Sequence, residues 1–348
     1  MLMLKSGVEE TMTEEQTLIT VTADDGAELA GVSRWTVNRA YKANASISAK
    51  ARKRVLEVAE QLGYAPDLMA ASLGSDRSNL VALLVDDFAN PHKLVMMERL
   101  TRILRQNGWD TLLVNTLNEN DASAALMNAS QRRVDAAVLI GVNFNDKELA
   151  TALGARRVKK LIVFARFSEN PNTISICCDD KKAMTEITNH VIAKGYQRPV
   201  FLAGPQTHSA HLMRKETFLK KWHDAKNFEP DFLSVTSYDP QLAYQCVTQH
   251  FTRLDQSRWP DILVCENDAL AMGAVDAIRH EFGLRIPEDI AVIGFDDVPQ
   301  SASPQYQLTT YRQPITAMVE GLVQVLKGEA KIEELSHYSG NLVIRNSA

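Results

Sequence analysis

From Leu80 onward, short apolar runs alternate with amphipathic stretches of helical period. "LVALLV" at residues 80–85 is followed by a helical pattern over Pro91–Asn107, then by "TLLVN", by a second helical pattern over Ala122–Arg133, and by "AAVLIG". The alternation continues as far as "AVIGF" at residues 291–295. Short β-branched runs separated by helices predict βαβ units and a parallel sheet, and there are too many runs for one small sheet. Ligands of open α/β sheets collect at the carboxyl ends of the strands, so the residues just after each run are candidates for a site.

The front of the chain has a different pattern. Ala27, Ala30, Val32 and Val37 are spaced for two short helices meeting at a tight turn, with Gly31 where a left-handed backbone angle costs least and Ser33 placed to cap the next helix. This is a helix-turn-helix pattern. Its second helix, roughly Arg34 to Tyr41, turns Val37 inward and Arg34, Trp35, Asn38 and Arg39 outward. A third helix begins at Ser48, runs through Ala51, Val55, Val58 and Leu62 on one buried stripe, and ends at Gly63.

Composition matters once it is divided along the chain. The 348 residues carry a formal charge of −5, yet Gly31–Arg54 holds seven Lys or Arg and no Asp or Glu, whereas Met1–Ala30 holds one Lys against seven acids. A basic run alone reads as a solvated helical face; on a helix-turn-helix it reads as a footprint for DNA. No apolar run is long enough to span a bilayer, and the first twenty residues lack a signal-peptide pattern. Four cysteines without a CxxC pair suit a reducing cytoplasm, and vicinal Cys177 and Cys178 are expected to alternate faces of a buried strand. No phosphate loop or nucleophile elbow occurs, and His92, His208 and His211 are not spaced as an HExxH site. No enzyme activity, metal or cofactor is expected.

"AELAGVSRWTVNRAYKANASISAKARKRVLEVAEQLGYAPD", residues 27–67, resembles the DNA-binding headpiece of the LacI/GalR family of bacterial repressors, and the likeness runs without a gap from about Thr22 to Ser78. "RRVDAAVLIG", "CENDALAMGAVDAI", "LRIPEDIAVIGFDD" and "LTTYRQP" resemble landmarks of that family's effector domain. The resemblance implies an α/β protein with an N-terminal three-helix helix-turn-helix headpiece and a two-lobed, periplasmic-binding-protein-like effector domain of parallel βαβ units. The expected divisions are an acidic leader at 1–19, the headpiece at 20–65, a hinge helix or linker at 66–78 and the effector domain at 79–348, with lobe crossings near Ala165 and Phe295.

On this likeness Arg34, Trp35 and Arg39 hold base-reading positions, flanked by Ser33, Thr36, Asn38 and Lys42, and Leu73 in "DLMAASLGSDRS" matches a leucine that wedges into the minor groove. Trp35, Gly26, Lys42 and Ala71 depart from the family's usual residues. Read from the residues alone, Trp35 could equally pack on the headpiece and Leu73 lie on a domain surface.

Arg214, Asn267 and Asp296 carry over as effector contacts, although Asn267 could cap a helix, Arg214 pair on the surface and Asp296 fix a crossing. In "DDFANPHKL" the family commonly shows two aromatic residues after Asn-Pro; here they are His92 and Lys93. Arg166 follows "LIVFA" at another cleft position. Three converging cations, Lys93, Arg166 and Arg214, would repel one another unless an anion joined them, so a sugar acid or sugar phosphate is expected; a surface position for Lys93 is the alternative. The expected partners are operator DNA, a small carbohydrate-like effector and a second copy of the chain in a homodimer. Two other readings stay open: a solute-binding sensor without DNA binding, and a regulator that answers a protein partner.

Overall fold

The computed structural model describes residues 21–42, 45–67, 77–116, 122–141, 158–206 and 210–348. They divide between two compact units that meet in sequence at Asp76 and Arg77.

The described residues of the smaller unit form three helices, α1 (Ala23–Ala30), α2 (Arg34–Ala40) and α3 (Ala49–Leu62). Each begins at a hydroxyl. Thr22 and Asp25 form a reciprocal capping box, Ser33 accepts from the Thr36 N–H, and Ser48 accepts from the Ala51 N–H. Gly31, at φ 64°, closes α1 and turns the chain into α2, as the sequence predicts. Ala27, Ala30, Val37, Ala40, Val55 and Val58 make the core. Arg52 closes the α2–α3 connection by donating to the carbonyls of Ala40, Lys42 and Ala45.

The larger unit has two lobes. In the first, β1 (Leu80–Val85), β2 (Asp110–Asn115), β3 (Ala136–Ile140), β4 (Leu161–Phe164) and β5 (Ile174–Ile176) form a parallel sheet in the order β2-β1-β3-β4-β5. The continuous run "LVALLV" reflects burial on both faces. Val81, Leu83 and Val85 pack with Leu100 and Leu104 of α4 (Pro91–Gln106), whereas Ala82 and Leu84 pack with Leu126 of α5 (Ala122–Gln131).

In the second lobe, β6 (Pro199–Ala203), β7 (Asp231–Ser234), β8 (Ile262–Cys265) and β9 (Ala291–Ile293) run parallel in the order β7-β6-β8-β9. One face carries α6 (Asp180–Ala193) and α7 (Arg214–Lys226), with Trp222 and Phe218 fully buried. The other carries α8 (Pro240–Thr252) and α9 (Asp268–His280). A short antiparallel pair, β10 (Thr310–Arg312) and β11 (Asn341–Val343), follows, and between its strands α10 (Ile315–Lys327) returns to the first lobe's core through Met318 and Leu322.

The first crossing does not lie near Ala165. The chain re-enters the first sheet as β5 and leaves afterwards: Ile176 belongs to the first lobe's core and Cys178 to the second's. Phe295 remains in the second lobe's core, and the return falls between Tyr311 and Ile315. A third passage runs from Leu335 to Leu342. Cys177 and Cys178 therefore follow the strand instead of alternating within it, both buried, with burial pushing each thiol up to about 12. Among the described residues no helix is long and apolar enough to cross a membrane.

Candidate nucleic-acid interface and effector cleft

On the smaller unit, α2 holds Val37 and Ala40 in the core and turns Arg34, Trp35 and Asn38 to solvent. Trp35 is 65% exposed and its ring lies 4.0 Å below the guanidinium carbon of Arg39. The indole thus packs on Arg39 and outside the headpiece core, which holds the two side chains as one flat, cationic surface. Arg34 pairs with Asp24 at 3.2 Å, in a position open enough to solvent that the pair adds little stability and is readily exchanged. Ser33 and Thr36 serve the cap, their hydroxyls 3.0 Å apart. Lys42 is exposed beyond the helix end. Leu73 and His208 lie outside the described residues.

In the larger unit, both sheets change strand order beside their first strand, where crossover helices leave to opposite faces and open a crevice at the carboxyl ends. A cavity of about 50 Å³ lies there, and His92, Lys93, Arg166, Arg214, Asn267 and Asp296 all line it. The structure brings the six together. Each follows a strand: His92 and Lys93 form the first turn of α4 behind the Asn90 cap, Arg166 follows β4, Arg214 opens α7, Asn267 follows β8 and Asp296 follows β9.

Lys93 is buried, 5% exposed, and donates to Asp86 Oδ1 and to the Ile140 carbonyl, both at 2.7 Å. Gly141, at φ 78°, passes so close that a Cβ there would collide with the ammonium group. Arg214, 3% exposed, donates from Nε to Asp180 Oδ1 at 3.1 Å and from Nη1 to the Glu266 carbonyl at 2.7 Å, and lies over the Phe295 ring. Arg166 donates to Tyr238 Oη, which donates to Glu266 Oε2; the same oxygen accepts from the Gly204 N–H. Burial alone would lower both arginine pKa values, but Asp180 and Asp296 around Arg214, and Tyr238 and Glu266 around Arg166, raise them above the ordinary range.

Contrary to the expectation from sequence, the three cations do not wait for an anion. Asp86, Asp180, Glu266 and Asp296 are interleaved with them. Asn267 accepts from the Leu270 N–H at 3.0 Å, so it caps α9 as well as lining the cavity. Asp296, at φ 117°, fixes the crossing through its N–H to the Tyr311 carbonyl, and its Oδ1 accepts from Gln313 Nε2 at 2.7 Å. Burial raises its pKa to about 6, with Arg214 opposing. His92 is held neutral, burial and the two nearby cations bringing its pKa down to about 3. Among the described residues, two buried polar atoms at this cavity, His92 Nδ1 and Gln313 Oε1, have no hydrogen-bond partner.

Sequence reasoning missed Tyr238, Glu266, Gln313 and the partners Asp86 and Asp180. Glu266 and Gln313 sit inside quoted landmarks, "CENDA" and "YRQP", but only tertiary proximity gives them a role.

The chain matches the model of bacterial regulatory proteins of the lacI family at residues 22–67, and that of periplasmic binding proteins and the sugar binding domain of the LacI family at residues 78–320. The chain belongs to the LacI family. As a LacI-family protein it is a DNA-binding transcriptional regulator controlled by a small effector. Among its relatives, the HTH-type transcriptional repressor PurR of Aliivibrio fischeri strain MJ11 is 26% identical over 88% of this chain and 90% of its own length. The sucrose operon repressor of Shigella flexneri is 29% identical over 79% and 83%. The fold alone is shared with the Lac repressor dimer bound to operator and the anti-inducer ONPF, at TM-score 0.80 and 24% identity over 94% of this chain and 98% of that one. It is also shared with a CelR–cellobiose complex, at TM-score 0.67 and 22% identity over 94% and 100%.

Proposed function

We propose that this LacI-family chain is a repressor that acts as a homodimer on a near-palindromic operator in the bacterial cytoplasm, and that an uncharged, hydroxyl-rich effector held between its lobes switches it. Arg34, Trp35, Asn38 and Arg39 read base edges in the major groove, Ser33, Thr36 and Lys42 hold phosphates, and Leu73 wedges into the minor groove. The stacked Trp35–Arg39 surface supports this assignment. Two headpieces on two half-sites match an operator's near-palindromy.

His92, Lys93, Arg166, Arg214, Asn267 and Asp296 hold the effector, assisted by Tyr238, Glu266 and Gln313. The observation that carries this reading is the pair of orphaned atoms, His92 Nδ1 and Gln313 Oε1, in a cavity to which both lobes contribute. A buried polar atom without a partner costs about 1–3 kcal/mol, and a ligand hydroxyl, donor and acceptor at once, can satisfy either. The carboxylates interleaved with the cations favour a neutral carbohydrate over a sugar acid or sugar phosphate. Relatives named for sucrose and a neighbour solved with cellobiose support the same class. An effector touching both lobes favours one arrangement of them, and shifts DNA affinity by as much as its own affinity differs between the two. Thermal-shift screening tests the proposal. Neutral sugars raising the melting temperature support it; stabilisation confined to sugar acids and phosphates contradicts it.

A further inference from the structure

We propose, resting on base reading by α2, that Trp35 recognises the C5-methyl group of a thymine in the base pair next to the one read by Arg39. Each half-site of the operator then holds a thymine at that step. Trp35 and Arg39 lie four positions apart on one face of α2, where a side chain leans back over the preceding turn. The guanidinium carbon of Arg39 stands 4.0 Å from the indole centroid. That spacing is close to the ~3.4 Å rise between successive base pairs, so two groups stacked in this way and turned to the major groove meet neighbouring pairs.

The two groups differ in what they can bind. Among the described residues no hydrogen bond or ion pair occupies the Arg39 guanidinium, whereas Arg34 pairs with Asp24 and Arg52 donates to the carbonyls of Ala40, Lys42 and Ala45. Arg39 therefore keeps its donors for the two acceptors of a guanine edge. Stacking on the indole covers one face of its plane, leaves the donors at the rim open, and restricts the side chain before DNA arrives.

Trp35 has a single donor, no acceptor, and a large apolar ring that stays open to solvent. It is the exposed large hydrophobe of α2, since Val37 and Ala40 are in the core. The donors and acceptors on base edges offer such a ring nothing beyond its N–H. The apolar group that B-DNA displays in the major groove is the thymine methyl. Covering that methyl with the indole removes apolar surface from water on both sides, which selects thymine over cytosine at the step beside the guanine of Arg39.

The test uses the full chain and the duplex it selects from a random pool, set against the same duplex with deoxyuridine for that thymine in one half-site. The exchange removes the methyl group and nothing else. Binding at fixed salt is expected to weaken about fourfold, the equivalent of ~0.8 kcal/mol for one buried carbon. Trp35→Ala, at a position outside the headpiece core, is expected to bind the thymine duplex more weakly and to bind both duplexes equally, whereas Trp35→Phe keeps a preference for the methyl. Equal binding of the two duplexes by the parent chain overturns the proposal and leaves Trp35 to position Arg39 alone. A fourfold difference that survives in Trp35→Ala, or a selected duplex without thymine at that step, overturns it as well. Failure to select any duplex overturns base reading by α2 itself. The comparison of duplexes on the parent chain stands whether or not either variant folds.

Discussion

Gln313 donates through Nε2 to Oδ1 of Asp296 at 2.7 Å. The same nitrogen lies 3.3 Å from Nε2 of His92, so an amide on the passage between lobes touches the residue after β9 and the first turn of α4 at once. This bond fixes which way the amide points and leaves its oxygen without a partner. Replacing Gln313 with Leu removes that acceptor. Effector affinity, measured by titration calorimetry, is expected to fall about tenfold, the equivalent of ~1.4 kcal/mol, while operator affinity without effector stays within about twofold.

Asp268 is fully buried at the start of α9, where its Oδ2 accepts from the Val298 N–H and the Ser301 hydroxyl and its Oδ1 from the Thr310 hydroxyl. Burial, with Asp296 next, raises its pKa to about 7 from an ordinary 3.8. A raised carboxyl stabilises the fold most below its unfolded value, and that contribution is lost as pH rises through about 7. Asn at 268 can keep its oxygen toward Val298 and Ser301 and donate to the Thr310 hydroxyl. Asp268→Asn is therefore expected to fold and to gain stability relative to the parent between pH 4 and pH 7, with the difference measured by urea unfolding at each pH. An unchanged difference across that window rules out titration of this group.

Much of the fold was legible because burial on both faces writes itself into continuous runs, as in "LVALLV", and because caps and turns need particular residues, as at Ser33, Gly31 and Ser48. The crossings were less legible. The strand β5 is only three residues, "ISI", and nothing local marks it as belonging to the first sheet. The six cleft residues were found because they follow strands or match family landmarks, whereas their charge balance was not: Asp180 lies 34 positions before Arg214, and Glu266 lies 52 after it. Asp180 lies in "DDKKA", residues 179–183, where nothing local marks it as the partner of a distant arginine.

Gly26 departs from the family's usual residue in the headpiece. A Cβ at this position in α1 meets only Val37 Cγ1, at 4.0 Å, an ordinary contact. Gly26→Ala is expected to stabilise the smaller unit by about 1 kcal/mol, the helix-propensity difference, read as a higher headpiece transition in calorimetry. Destabilisation would show that the site has no room for a methyl group.

The base-reading role proposed for Arg39, stacked on Trp35, and the phosphate-holding role proposed for Lys42 can be tested separately. Arg39→Ala is expected to weaken operator binding by about 1–3 kcal/mol and to relax preference at one base position in each half-site. Lys42→Ala should weaken all sequences alike and lower the salt slope by about 1. Binding selections on randomised operators distinguish the two.

The most direct measurement is operator affinity by fluorescence anisotropy, with DNA selected from a random pool, with and without the sugar that gives the largest thermal shift. Preference for the selected duplex over scrambled DNA, together with an effector-dependent change in affinity of about fivefold or more, is the predicted result. Equal affinity for both duplexes, or affinity that a bound effector leaves unchanged, contradicts it.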